Sequence, residues 1–108
     1  MENIGFKTEI WNRLLVSKGE VSCEVKPKNS SNRRWIAIYK IENDRHEFRY
    51  FDFEIGKSIL ENDWDWFEDD EISTEIFVKD EKELLIILEK DKINIIDFDY
   101  PWNNDYPY

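Results

Sequence analysis

Trp35-Ile36-Ala37-Ile38-Tyr39-Lys40-Ile41, then Glu42-Asn43-Asp44, then Arg45-His46-Glu47-Phe48-Arg49-Tyr50-Phe51-Asp52-Phe53: this stretch decides the fold. The first run is nearly all apolar, β-branched or aromatic, which suits a strand covered on both faces. The Glu-Asn-Asp triplet is turn chemistry. The second run alternates, with His46, Phe48 and Tyr50 on one face and Arg45, Glu47, Arg49 and Phe51 on the other. An antiparallel hairpin follows, and the predicted fold is α+β, a small antiparallel sheet centred on about 34–53 with two or three helices packed on it.

Working outward, residues 6–17 place Phe6, Ile10 and Leu14 at helical spacing with Trp11 and Leu15 beside them. That predicts a helix closed by Lys18-Gly19. A strand competes, because Phe6, Thr8, Ile10, Leu14 and Val16 also alternate. Residues 20–26 set Val21, Cys23 and Val25 against polar neighbours, the pattern of a half-buried strand. Residues 27–34 form a polar loop, and Arg33-Arg34 are expected to pair with carboxylates or to lie at the sheet rim.

Beyond the hairpin, Ser58-Ile59-Leu60-Glu61 fits a capping box, so a short helix is expected over about 59–67. Residues 73–79 read as a strand. Asp80 reads as the N-cap of a helix over 80–90, with Leu84, Leu85, Ile87 and Leu88 as its apolar stripe. Residues 92–98 read as another strand, which would complete a strand–helix–strand unit. The prolines of the tail, 99–108, predict extended backbone. At 108 residues the chain is expected to form one domain, 1–108.

Charge is unevenly placed. Residues 1–40 carry eight basic and four acidic side chains, while 41–108 carry seven and twenty-one, and the whole chain has a net charge of −10. Phosphate contacts need Lys and Arg, so this balance argues against nucleic acid, and it would repel an anionic membrane. It would attract a basic protein and speed the encounter. The abundance of Trp, Tyr, Phe and Ile excludes a disordered acidic chain. No signal-peptide pattern is visible at Met1-Glu2-Asn3-Ile4-Gly5-Phe6-Lys7 and no run is long enough to span a membrane. A single cysteine fits a reducing compartment, and the cytoplasm is the expected location.

No catalytic signature stands out. Cys23 and the lone histidine, His46, have no feature tying them together, and Cys23 reads as a core residue. A lone His is not a metal site. Asp63-x-Asp65 and Asp97-x-Asp99 offer oxygen ligands, yet the spacing lacks the central glycine and final Glu of a calcium loop. Carboxylates beside tryptophans also suit glycoside hydrolysis or sugar stacking by Trp64, Trp66 and Trp102. A chain this short has little room for a substrate cleft. The expectation is a non-enzyme without cofactor or metal.

What remains is the stretch 58–78. It holds eight carboxylates, no Lys or Arg, and Trp64, Trp66 and Phe67 among them. The tail at 99–108 repeats that chemistry. Interfaces concentrate Trp and Tyr as anchors, so Glu61, Asp63, Asp65, Trp66, Glu68, Asp69, Asp70, Glu71, Trp102 and Tyr106 are the candidate partner-binding residues. Trp35 and Trp64 are expected in the core. In size, acidity and these acid–aromatic stretches the chain resembles the small acidic immunity proteins of bacterial toxin–immunity systems, including contact-dependent inhibition and polymorphic toxins. The resemblance implies a monomer or weak dimer that neutralises a basic cognate toxin of nuclease type. The alternative is a scaffold module that homodimerises through the aromatic tail.

Overall fold

The computed structural model describes residues 3–41, 47–57 and 71–107, with the backbone alone at Glu71 and Ile72. The element order is α1 (Thr8–Leu15), β1 (Val21–Val25), β2 (Asn32–Lys40), β3 (Phe48–Gly56), β4 (Glu71–Val78) and α2 (Glu81–Lys90). Two 3-10 turns follow, Ile95–Asp97 and Pro101–Asn103. The fold class is α+β. The four strands form one antiparallel sheet in the order β1-β2-β3-β4.

β2 and β3 occupy the middle of the sheet, with Trp35 opposite Phe53 and Ile38 opposite Tyr50. A central strand is buried on both faces, and the two alternations of β3 therefore enter two cores. Phe48 and Tyr50 join Val21, Cys23, Ile36, Ile38 and Val78 beneath the helices. Phe51, Phe53 and Ile55 join Trp35 and Ala37 on the opposite face. The strand begins at Phe48 and runs to Gly56, three residues later at each end than the sequence pattern predicts. The expected turn, Arg45 and His46 lie outside the described residues.

Residues 6–17 settle as helix. Ile10, Trp11 and Leu14 of α1 are buried against β1 and β2, together with Phe6. Asn3 holds the entry to α1, its Oδ1 accepting from the Gly5 and Phe6 amides at 3.0 and 2.9 Å. At the exit the left-handed residue is Lys18, with φ 54°, and Gly19 follows it. Gly19 leaves room for the Arg13 guanidinium: a Cβ there would stand 2.6 Å from Arg13 Cζ and would displace it.

α2 lies against β3 and β4 on the same face. Asp80 caps it by accepting from the Glu83 amide at 2.9 Å. Leu84 and Leu88 are buried, whereas Leu85 and Ile86 face outward.

The strand expected over 92–98 does not form. After α2 the chain reverses through Lys92 at φ 58°, with the Lys92 and Ile93 amides returning to Glu89 and Leu88 at 3.1 and 2.9 Å. Asn94 Oδ1 then takes the Ile96 amide at 3.2 Å, and the Asp97 amide takes the Asn94 carbonyl at 3.0 Å. These local bonds use donors a sheet ladder would need, so the backbone coils into a 3-10 turn. Strand–helix–strand is thereby reduced to strand–helix. The tail is not wholly extended either: Pro101 opens a 3-10 turn, where its missing N–H costs nothing.

Candidate functional site

The surface that the described residues organise around aromatic and acidic side chains is the tail, 99–107, laid along β1. Its anchoring starts at Ser22, expected on the polar side of β1 yet fully buried. The Ser22 amide donates to the Asp99 carbonyl at 3.0 Å, and the Asp99 amide returns to Ser22 at 2.9 Å. Ser22 Oγ donates to Asn104 Oδ1 at 2.8 Å, and Asn104 Nδ2 donates to the Ser22 carbonyl at 2.8 Å. Trp35 Nε1, from the core of β2, donates to the Asn104 carbonyl at 2.8 Å. Trp35 is the core tryptophan its strand pattern predicts, and its polar edge is what reaches the tail.

Asp99 holds the turn from within. Its Oδ1 accepts from the Tyr100 amide at 2.7 Å and from Asn103 Nδ2 at 3.0 Å, and Lys7 lies 3.4 Å from Oδ2. Burial alone would raise this carboxyl, but the hydrogen bonds and Lys7 outweigh it and hold the pKa below the usual Asp value.

On this frame stands Trp102, 65% exposed. Its ring stacks on Tyr100 at 5.0 Å with 3° between planes. The Arg13 guanidinium lies 5.0 Å from the Trp102 centroid and 5.8 Å from Tyr100. Arg13 is itself held by donating through Nε to the Glu20 carbonyl at 2.8 Å, and Gly19 leaves the space it occupies.

Of the residues predicted to bind a partner, Trp102 is thus placed on the surface. Tyr106 is not. It is 8% exposed and belongs to the core with Trp35, Ala37, Phe51, Phe53 and Ile55. This corrects its assignment as an anchor: the tail turns onto the sheet after Asn104, and the largest apolar group near its end is drawn to an apolar face. Glu61, Asp63, Asp65, Trp66, Glu68, Asp69 and Asp70, like Trp64 and the expected 59–67 helix, lie outside the described residues. Glu71 opens β4 opposite Ile55. The residues flanking 58–70 therefore belong to β3 and β4, whereas the tail runs beside β1, at the other side of the sheet.

The arginines neutralise carboxylates within the fold. Arg33 makes a fork to Glu24 at 2.8 and 2.8 Å and approaches Asp105 at 3.7 Å. Arg34 makes one to Asp52 at 2.8 and 2.7 Å. Arg49 meets Glu75 at 2.6 Å and Glu20 at 3.8 Å, over the rings of Tyr39 and Phe51. The sequence singled out Arg33-Arg34 as a structural pair and missed Arg49, which meets Glu75 of β4, and Arg13, which meets Tyr100 and Trp102 of the tail.

Two internal features look chemical and are structural. Glu54 is buried, and its carboxylate accepts from the Lys28 and Asn29 amides at 2.8 and 3.3 Å and from Asn32 Nδ2 at 2.7 Å. Burial opposes its charge, but these bonds prevail and its pKa is lowered. With Arg34, Asp52 and Thr74 it lines a small cavity of about 180 Å³. Burial pushes the Cys23 thiol up to about 12, which removes it as a nucleophile. Among the described residues no cluster of three His, Cys, Asp or Glu is placed to hold a metal ion, and no helix is long and apolar enough to cross a membrane. No protein-family model, curated protein or solved structure matches the chain.

Proposed function

We propose that the chain is a non-catalytic binding protein that neutralises a basic partner in the cytoplasm, in the manner of the immunity proteins of bacterial toxin–immunity systems, with a nuclease-type toxin as the partner. One observation carries this reading: Trp102 is 65% exposed and yet held in a single place by Tyr100, Arg13 and the bonded turn beneath it. An exposed indole whose position is supported by neighbouring side chains gives up less entropy on binding, which favours an interface anchor.

Charge supports the same reading. Arg13, Arg33, Arg34 and Arg49 are engaged inside the fold, so the excess of the −10 chain is left to its carboxylates. A field of this sign steers a basic protein and repels nucleic acid. Self-association through the tail is less favoured, because Tyr106 is held in the core and like-charged copies repel.

The test is binding to the protein encoded beside this chain, measured by co-purification and stopped-flow association. Trp102→Ala is expected to weaken the complex by about 2 kcal/mol, near thirtyfold, as removal of an interface anchor does. Reversing Asp63, Asp65, Asp69 and Asp70 to Lys is expected to slow association. A complex whose affinity and on-rate survive both changes would sink the proposal.

A further inference from the structure

The two edges of the sheet are treated differently. On β1 the tail pairs with the edge at Ser22, which Asp99 bridges through both backbone bonds. β4 is the other outermost strand. Its register with β3 runs without interruption from Val78 opposite Phe48 to Glu71 opposite Ile55, so no bulge bends it away. Within Glu71–Val78 there is no Lys, Arg or Pro. Bulges, lysines and prolines are the devices that keep an edge strand from accepting another chain, and β4 has none of them.

Its side chains add to this. Every residue from Ser73 to Phe77 is exposed, on both faces of the strand. Ile76 is 38% exposed and Phe77 57%. α2, packed against β3 and β4, leaves Leu85 and Ile86 exposed. Glu71 and Glu75 are the charges of the strand, and the run that follows sets Asp80, Glu81 and Glu83 against Lys79 and Lys82.

We infer that β4 is a docking edge for an extended, basic segment of the partner protein, which adds to the sheet as a fifth strand. Main-chain bonds to β4 would supply affinity, and alternate side chains would supply selectivity. Glu75 and Phe77 share the face on which Arg49 and Phe51 lie; Glu75 pairs with Arg49 at 2.6 Å, so on this face the incoming strand sets an apolar residue against Phe77. Thr74 and Ile76 present the other face. Charge selects this occupant over a second copy of the chain, because two copies that each carry a net charge of −10 repel one another. The inference rests on the basic-partner reading and locates its contact on β4, apart from Trp102.

The probe is a synthetic peptide of about nine residues, a usual strand length, alternating Lys or Arg with Val or Ile. The control is the same peptide with alternate amides N-methylated on one edge. Binding is followed by fluorescence anisotropy and by amide hydrogen exchange. The alternating peptide is expected to slow exchange within 71–78. N-methylation and, separately, the exposed-site change Phe77→Lys are each expected to weaken binding about tenfold or more. Equal affinity for both peptides would show attraction by charge alone and overturn the inference. So would unchanged exchange in β4, or a dimer in light scattering that Phe77→Lys dissolves, which would assign the edge to a second copy. A basic partner that binds without protecting β4 would defeat this inference and leave the binding reading standing.

Discussion

Replacing Asn104 by Ala tests whether the tail is held as the structure shows. The change removes two hydrogen bonds of 2.8 Å, one donated by Ser22 Oγ and one accepted by the Ser22 carbonyl. The carbonyl keeps its bond from the Asp99 amide. The hydroxyl does not fare as well, since Ser22 is fully buried. The lost carbonyl bond is worth about 0.5–1.5 kcal/mol and the orphaned buried hydroxyl, its own lost bond included, costs about 1–3 kcal/mol, so the expected loss is about 2–4 kcal/mol. For a domain of this size that lowers Tm by about 10–20 °C. Thermal unfolding followed by circular dichroism measures it. The Trp35 indole N–H bonds to the Asn104 backbone and is not removed by the substitution, so the loss is assigned to the side chain. Ser22→Ala in the Asn104→Ala background gives the control: with both partners gone, the double variant should be more stable than the sum of single losses predicts, by about 0.5–3 kcal/mol. A Tm change under about 4 °C, less than about 1 kcal/mol here, or strict additivity would refute the anchoring argument. Trp102 would then have no fixed base.

Two further outcomes follow from buried groups. Glu54 has a lowered folded pKa, so its stabilising effect is present above the unfolded value, about 4.3 for Glu, and is lost as pH falls through the folded value. Glu54→Gln should therefore cost about 1–3 kcal/mol at pH 7 in urea unfolding, and the gap should close as pH drops below about 4; a gap unchanged from pH 7 to pH 3 refutes this. Cys23, buried with its thiol pushed up to about 12, should react with an aromatic disulfide reagent at pH 8 only at the rate of unfolding, and labelling as fast as that of a free thiol would contradict the burial.

Several elements could be read from the chain because their signals are local. Asp80 followed by acids and then Leu84 and Leu88 is a capped amphipathic helix by spacing alone. The run around Trp35 is a central strand by composition. Residues 6–17 fitted helix and strand alike, and the decision came from packing: as a helix, Ile10, Trp11 and Leu14 reach one core over β1 and β2. Residues 92–98 were misleading because Lys92, Ile93, Ile95 and Ile96 have strand composition, while Asn94 offers the backbone a closer partner than any strand.

The sequence by itself determined the fold class, the charge of the surface and the absence of a local catalytic motif, because periodicity, caps and net charge depend on neighbours in the chain. It also marked the tail as aromatic and acidic. Only the tertiary structure separated Trp102 from Tyr106, two aromatics in one short proline-flanked segment. Tyr106 is buried because the tail turns onto the apolar face carrying Trp35 and Phe53. Trp102 is exposed because Asp99 and Asn104, both tied to Ser22 far away in the sequence, lock the turn that lifts it off the sheet. The contrast between the edges has the same origin. An edge strand is defined by what pairs beside it, and the tail pairs with β1 and leaves the outer side of β4, among the described residues, without a neighbour.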